Sequence, residues 1–263
     1  KRSGSDQTVA LNSDVLVNID LNQVFHLHNT TGQKITVVYK KLPKELISDV
    51  NSILEIDESD RVLGHELFQG GDKEVYNMST DIFVVDTPYL IEKLEEEAAK
   101  EEPRKLRYVL RDLAVAENAF AYEHTGYLSN IHSVKAYFDA NLDMLESEKF
   151  YKLFAPNQKV YTKVKNEEPT YYATSSDVKV SQFASGSIVR GKVEHSVVSR
   201  NVDLAEGSSV GHSVLFPRVK VAKGATVEYA IVDKGVEIAE GVTIRGTENN
   251  PVVIKKGSVV TED

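Results

Sequence analysis

Three consecutive stretches of the chain superimpose without a gap: SVVSRNVDLAEGSSVGH (residues 196–212), SVLFPRVKVAKGATVEY (213–229) and AIVDKGVEIAEGVTIRG (230–246). Each is 17 residues long. Aliphatic residues and a glycine recur at the same places in each stretch, in the columns Val202/Val219/Val236, Leu204/Val221/Ile238, Val210/Val227/Ile244 and Gly207/Gly224/Gly241. A fixed period with apolar residues at a fixed phase is typical of stacked units that bury their faces on one another.

Within one period the sequence reads as two units of six residues and one of five, and the units of six, such as LAEGSS and VAKGAT, begin with an aliphatic residue. Hexads that start with Ile, Leu or Val are typical of a parallel β-helix. Each inward aliphatic side chain contributes about 1.5–3 kcal/mol on burial, so about five stacked coils are stable without other support. We predict a β-helix over residues 175–263. The alternative, an antiparallel β domain, would show alternation with irregular spacing.

Composition limits the partners and the compartment. The chain has 263 residues, a formal net charge of −9 and no cysteine. An acidic chain is a poor ligand for nucleic acid or an anionic membrane, and a chain without cysteine forms neither a disulfide nor a thiolate zinc site. The sequence has no apolar run near the roughly 18 residues of a membrane helix, so we expect a soluble cytoplasmic protein. It opens without Met, directly before a strand, and we therefore expect a fragment of a longer protein.

The residues before the repeat have a different texture, in which strands alternate with helices. Such alternation indicates an α/β layer structure, and we predict an α/β domain over residues 1–148 and a linker over residues 149–174. The expected elements are a βαβ-sized unit (strand 8–12, helix 20–29, strand 35–39), a hairpin (53–56 and 61–63), a strand (81–85), a helix to about Lys100 with Thr87 as N-cap and Pro88 at its first position, a strand (119–122) and a helix capped by Ser133.

Asp14 follows the first predicted strand, TVALN. Open α/β sheets bind ligands at the carboxyl ends of their strands, and a carboxylate there can hold Mg²⁺ together with phosphate oxygens of a substrate. The same position is also common for an aspartate that only stabilises a turn. From its own position, Asp14 is therefore either a metal ligand or a structural residue.

Three stretches resemble the ADP-glucose pyrophosphorylases (glucose-1-phosphate adenylyltransferases) of glycogen synthesis. NSDVLVNID (residues 12–20) is similar to the segment that carries the family's Gly-Asp-His metal aspartate. NMSTDIFVVD (77–86) resembles the sugar-site strand Ser-Met-Gly-Ile-Tyr, and GYLSNIHSVKAYFDANLDML (126–145) resembles the Gly-Tyr-Trp-Arg-Asp-Ile-Gly-Thr segment with the helix after it. The resemblance implies the C-terminal part of a Rossmann-like nucleotidyltransferase domain, followed by a left-handed parallel β-helix of hexapeptide repeats.

The same resemblance assigns roles to particular residues. It implies Asp14 as a ligand of Mg²⁺, and Ser79, Gly126 and Tyr127 as substrate-binding residues. The family's second metal aspartate falls on Asn130, a neutral residue that does not replace a carboxylate at a divalent ion. The sugar-site glycine is replaced by aspartate, the Glu-Lys-Pro that contacts the sugar phosphate has no counterpart in GHELFQGGDKE (residues 64–74), and the glycine-rich nucleotide loop lies upstream of the chain.

Nucleotidyl transfer depends on metal ions and basic groups that neutralise developing charge. These departures make the chain similar to the GlgD-type regulatory, non-catalytic subunit of the family, which implies a catalytic ADP-glucose pyrophosphorylase subunit as its partner, Mg²⁺ for the assembled enzyme and oligomerisation through the β-helix. One alternative is an active sugar-phosphate nucleotidyltransferase that tolerates Asn130. Another is a hexapeptide-repeat acyltransferase with His195 or His212 as its base, although Tyr229 continues their line and favours a surface ladder.

Overall fold

The structure is a computed structural model that describes residues 4–154, 159–163 and 165–261. The chain divides into two compact units, Lys1–His132 and Ser133–Asp263. None of the helices in the described ranges is long and apolar enough to cross a membrane.

The first unit contains eight described strands and three α-helices. The strands are β1 (Gln7–Ala10), β2 (Val15–Val17), β3 (Ile35–Pro43), β4 (Ser52–Ile56), β5 (Val62–Leu67), β6 (Val75–Asp86), β7 (Phe120–Glu123) and β8 (Leu128–Asn130). The helices are α1 (Leu21–Thr31), α2 (Thr87–Ala98) and α3 (Leu106–Ala116), with a short 3₁₀ turn at Lys44–Leu46.

The long strand β6 organises a mixed, Rossmann-like sheet. Strand β3 pairs with β6 antiparallel on one side, while β1 and β4 pair with β6 antiparallel on the other. Strand β7 adds to β3 in parallel, and β5 forms the predicted hairpin with β4. Strands β1 and β3 therefore run in the same direction with β6 between them, and α1 connects them. The predicted βαβ unit is present, but its two strands are not neighbours.

Both faces of this sheet are covered by helices. Val24 of α1 packs with Val38 and Val84 on one face, while Leu90 of α2 and Leu110 of α3 pack on the other. The strands β3 and β6 are therefore buried on both sides, which explains their runs of Val, Ile and Phe. Helix α1 begins at Asp20, whose carboxylate accepts from the backbone N–H of Asn22, and it ends at a left-handed Gly32.

Two details around the helices differ from the expectations. Helix α2 begins at Thr87 itself, with Asp86 at the cap position and Pro88 in the first turn, and it ends at Ala98 rather than Lys100. The Thr87 hydroxyl contacts the Thr8 hydroxyl at 2.8 Å, so it ties β1 to α2 instead of capping the helix. Helix α3 was not predicted, although its apolar side chains follow a helical period.

The second unit contains the predicted parallel β-helix. Its short strands form three parallel sheets of five, five and six strands. Successive strands pair 17 residues apart, as in the column Val193, Val210, Val227 and Ile244. The strands are β9 (Tyr171–Tyr172), β10 (Asp177–Lys179), β11 (Gln182–Phe183), β12 (Ile188–Val189), β13 (Lys192–Glu194), β14 (Val197–Val198), β15 (Asp203–Leu204), β16 (Ser209–Gly211), β17 (Val214–Leu215), β18 (Lys220–Val221), β19 (Thr226–Glu228), β20 (Ala230–Val232), β21 (Glu237–Ile238), β22 (Thr243–Arg245), β23 (Val252–Ile254) and β24 (Val259–Val260).

A buried ladder of serines stabilises one corner of the coils. The Ser213 hydroxyl donates to the Gly211 carbonyl at 2.7 Å and accepts from the Ala230 N–H, one coil further on, at 3.1 Å. The Ser196 hydroxyl accepts from the Ser213 N–H in the same way. Each hydroxyl therefore satisfies a backbone group that the turn would otherwise leave without a partner.

Helices also belong to the second unit: α4 (Val134–Leu142), a 3₁₀ turn (Asp143–Leu145) and α5 (Ser147–Leu153). As expected, the Ser133 hydroxyl caps α4, accepting from the Ala136 N–H at 3.0 Å. Phe138 of α4 packs on Val214 and Ile231, on the outer side of a β-helix sheet. The first paired strand of the β-helix is β9, a few residues before position 175. The domain boundary near residue 148 stays a prediction.

Candidate functional site

A bulge in β6 lies at the position of the sugar-site strand. Val38 of β3 is opposite Ile82, but the next residue, Tyr39, is opposite Ser79. Thr80 and Asp81 are therefore extra residues on β6, and Asp81 adopts a left-handed backbone with φ of 53°. Glycine takes this conformation without strain. The conformation explains why the position suits the glycine of the related sequences and is unusual for aspartate.

A buried arginine compensates the charge of Asp81. The Arg111 Nε donates to Asp81 Oδ1 at 2.8 Å, and Arg111 Nη2 donates to Asp81 Oδ2 at 2.6 Å. Both side chains are almost fully buried, with 2% and 4% of their surfaces exposed. A bidentate pair of this kind is the favourable arrangement for burying a carboxylate. Asp81 is therefore part of the protein's own structure and is not free for a ligand.

Arg107, one turn before Arg111 on α3, reaches Asp14. Its Nη2 donates to Asn12 Oδ1 at 3.0 Å and lies 3.3 Å from Asp14 Oδ2. Asn12 in turn donates to Asp81 Oδ2 at 3.3 Å. The two carboxylates and the two guanidinium groups therefore form one connected network. Within the described ranges, two buried atoms of this network have no hydrogen-bond partner, Asp14 Oδ1 and Arg111 Nη1.

The pairing of β2 with β8 brings Asn130 beside Asp14. Val15 is opposite Asn130, and the N–H of Ile131 donates to the Asp14 carbonyl at 2.7 Å. The Asn130 side chain is buried and points into an amide network, since Nδ2 donates to the Leu46 carbonyl and to Asn51 Oδ1, both at 2.8 Å. Its Oδ1 accepts from Asn51 Nδ2 at 3.3 Å. The second metal position is therefore neutral and already fully hydrogen-bonded.

These residues do not fit a divalent cation. Mg²⁺ binds carboxylates that are free to face it, whereas the Asp14 carboxylate lies against Arg107 and the Asp81 carboxylate is held by Arg111. Among the described residues, no group of three or more His, Cys, Asp or Glu is arranged to hold a metal. The role of Asp14 as a Mg²⁺ ligand stays a prediction, and its surroundings oppose it.

The predicted substrate residues lie near the same end of the sheet. The Ser79 hydroxyl accepts from the Asp81 N–H at 3.2 Å, so it stabilises the bulge. The Gly126 carbonyl accepts from the ammonium group of Lys40 at 2.7 Å, and the Tyr127 carbonyl contacts His124 Nε2 at 3.1 Å. Their substrate-binding role stays a prediction.

His124 explains why residue 126 is glycine. A Cβ at Gly126 would lie 2.8 Å from the His124 ring, so a side chain there would displace the imidazole. The ring is buried, and this burial lowers the pKa of His124 below its usual value. A neutral imidazole therefore lines this turn.

Sequence reasoning missed the residues that determine the charge of the site, Arg107 and Arg111. They are four residues apart, and the apolar residues Val109, Leu110 and Ala114 recur on a helical period in LRYVLRDLAVA (residues 106–116). Helical residues at this spacing share a face, so the sequence contained a signal for two arginines that point the same way. The pairing partners were not visible, because Asp81 lies 30 residues before Arg111.

An ion-pair network fixes the start of α3 and therefore positions its arginines. Glu97, buried at the end of α2, accepts from the Arg104 backbone N–H at 2.9 Å and from Arg104 Nε at 3.0 Å. Hydrogen bonds from Arg104 and Lys100 lower the pKa of Glu97 to about 2. Arg104 also pairs with Asp112 of α3 at 2.5 Å. The loop between α2 and α3 is thereby held at both ends.

The histidines of the β-helix form a stack. The ring centroids of His195 and His212 are 5.1 Å apart, and those of His212 and Tyr229 are 4.8 Å apart with the rings almost parallel. All three residues have a left-handed backbone at the same corner of successive coils. The geometry agrees with the surface ladder that the position of Tyr229 indicates, in which each ring covers the next.

Comparison with known proteins supports both halves of the chain. Residues 163–261 match a family model described as GlmU-like, C-terminal hexapeptide. The chain is 30% identical over 262 residues to the glycogen biosynthesis protein GlgD of Bacillus subtilis, which covers 99% of this chain and 66% of that protein. Similarity to GlgD of Geobacillus stearothermophilus reaches 53% over 123 residues, or 47% of this chain and 36% of that protein.

A glucose-1-phosphate adenylyltransferase of Thermosipho africanus is 25% identical over 209 residues, which cover 78% of this chain and 50% of that protein. The chain thus spans two thirds or less of the length of the relatives that it matches. The repeat, the sheet and these similarities agree with one another. The chain belongs to the family of glucose-1-phosphate adenylyltransferases and GlgD-type glycogen biosynthesis proteins.

Proposed function

We propose that the chain is the regulatory, non-catalytic kind of subunit in this family and acts in glycogen biosynthesis. In this proposal it assembles in the cytoplasm with a catalytic subunit that makes ADP-glucose and diphosphate from ATP and glucose 1-phosphate. The observation that carries the proposal is the charge of the pocket, where two guanidinium groups neutralise Asp14 and Asp81 and a neutral amide occupies the position of Asn130.

The charge matters because nucleotidyl transfer builds negative charge on phosphate oxygens, which a metal ion and nearby basic groups must stabilise in the transition state. Removal of such a contribution lowers the rate by about a hundredfold to a thousandfold for a single donor. A pocket without a free metal carboxylate would lose at least this much. The chain alone would therefore be a very slow transferase.

The β-helix supports the assembly part of the proposal. Its rigid core repeats from coil to coil, while large apolar side chains stay exposed on its outside, among them Ile188 (39% exposed), Val253 (48%) and Val259 (67%). Exposed apolar groups of this kind favour contact with another protein surface. A catalytic subunit of the same family is the partner that we propose for this surface.

The experiment compares the full-length protein alone and mixed with the catalytic subunit of the same organism. ADP-glucose formation from ATP, glucose 1-phosphate and Mg²⁺ is measured, together with particle mass by light scattering. We expect little ADP-glucose from this subunit alone, a larger particle on mixing, and a raised rate or a changed KM in the mixture. The matched control is an equal amount of serum albumin in place of this subunit.

Two results would contradict the proposal. A rate for the isolated subunit comparable to that of the catalytic subunit would favour the active nucleotidyltransferase. A mixture whose mass and kinetics equal those of its separate components would remove the regulatory role.

A further inference from the structure

The position of Arg107 concerns the metal site of the pocket. The guanidinium of Arg107 lies against Asp14 Oδ2, the carboxylate oxygen that a divalent cation would contact. The same nitrogen also donates to Asn12 Oδ1, a second oxygen ligand of the type that Mg²⁺ accepts. A cation and this guanidinium therefore compete for the same two oxygens.

Other carboxylates in the network do not offer an alternative to the cation. Asp81 is held through both of its oxygens by the buried Arg111 and has little contact with solvent. The Asn130 amide oxygen is occupied by Asn51. With two carboxylates and two guanidinium groups, the network is electrically neutral, and a dication added to it would be placed beside a guanidinium without a charge to balance it.

We propose that the Arg107 guanidinium takes the place of a metal ion in this pocket and is the residue that prevents Asp14 from binding a divalent cation. The inference deepens the proposed function and rests on it, since it assumes a pocket related to a metal-dependent one. Arg107 is about one third exposed, so its side chain can be replaced without opening the core. The buried Arg111 stays in place and continues to balance Asp81.

The test is a titration of the full chain with Mn²⁺, a paramagnetic substitute for Mg²⁺ whose free concentration is measured by electron paramagnetic resonance. Four proteins are compared with the wild type: Asp14→Asn, Arg107→Gln, Arg107→Lys and the double variant Arg107→Gln/Asp14→Asn. Glutamine still donates a hydrogen bond but carries no charge. Lysine keeps the charge and is the matched control. Circular dichroism establishes that each variant is folded.

We expect the wild type and Asp14→Asn to bind Mn²⁺ equally, because Asp14 contributes nothing while Arg107 is present. Arg107→Gln should gain a site with a Kd at least about tenfold below that of the wild type, since the repulsion between like charges is removed. The double variant should lose this site, and Arg107→Lys should behave like the wild type.

Two outcomes would overturn the inference. One is Mn²⁺ binding to the wild type that Asp14→Asn abolishes, which would show that Asp14 holds a metal beside Arg107. The other is a folded Arg107→Gln variant that binds Mn²⁺ no better than the wild type. If Arg107→Gln does not fold, the comparison of wild type with Asp14→Asn still decides the matter. The titration needs no catalytic partner, so its failure is distinguishable from failure of the mixed activity assay.

Discussion

The buried pair between Asp81 and Arg111 should dominate the stability of the first unit around the site. Loss of one partner leaves the other charge buried, which typically costs about 3–5 kcal/mol. Asp81→Gly also releases the left-handed strain of residue 81, worth about 1 kcal/mol, so we expect a net loss of about 2–4 kcal/mol. Arg111→Met should cost about 3 kcal/mol, because Asp81 keeps its contact with Asn12.

The double variant Asp81→Gly/Arg111→Met removes both charges and should have nearly wild-type stability. The two single changes would then be coupled by at least about 3 kcal/mol. Urea unfolding followed by far-UV circular dichroism measures each free energy of unfolding. The exposed pair Lys41–Glu123, at 2.7 Å, is the control, and its coupling should stay below about 1 kcal/mol. Coupling of Asp81 and Arg111 no larger than this would refute the reasoning.

Three further predictions concern packing and pH. Gly191→Ala should destabilise the β-helix by about 1–3 kcal/mol, because the new Cβ would lie 2.5 Å from a carbonyl of the neighbouring coil, whereas Gly211→Ala, which meets only a side-chain carbon at 3.9 Å, should be tolerated; thermal unfolding measures both, and equal effects would contradict the steric argument. Ser213→Ala should cost about 1–3 kcal/mol by leaving the Ala230 N–H without an acceptor, and faster amide exchange at Ala230 is the specific sign of this loss. The folded-state pKa of Glu97 is depressed from 4.5 to about 2, so its contribution to stability is fully present above pH 4.5 and is lost as the pH falls towards 2; Glu97→Gln should flatten the stability profile in this interval, and an unchanged profile would count against the Glu97 network.

The β-helix was predictable because each coil solves the same packing problem. Inward positions are aliphatic in each coil, and Val193, Val210 and Val227 show this directly in the sequence. The α/β half was predictable only in part. The first residues of β6 (Val75–Asp86) contain Tyr, Asn, Ser and Thr, so the strand was predicted only from Asp81 onward, although tertiary burial extends it to Val75.

The site was predictable as a list of positions but not as a set of contacts. Sequence comparison identified Asp14, Ser79 and Asn130 as the residues to inspect, and the structure brings Asp14 and Asn130 together through the β2–β8 pairing. The partners that decide their chemistry are Arg107, Arg111 and Asn51, which are separated from them by dozens of residues. Local patterns carry no information on such pairs, since the pairs arise only when the sheet and α3 pack.

These contacts make the neutral state of the pocket difficult to reverse with one substitution. The Asn130 amide donates to two oxygens, those of Leu46 and Asn51, each at 2.8 Å. A carboxylate at residue 130 would face both oxygens without a proton to donate, and burying such unpaired acceptors is unfavourable. Even if that carboxylate turned towards Asp14, Arg107 would remain beside it and neutralise one of the two charges. Recovery of a metal site therefore requires changes at both Asn130 and Arg107, because the amide network and the guanidinium each stabilise the neutral pocket independently.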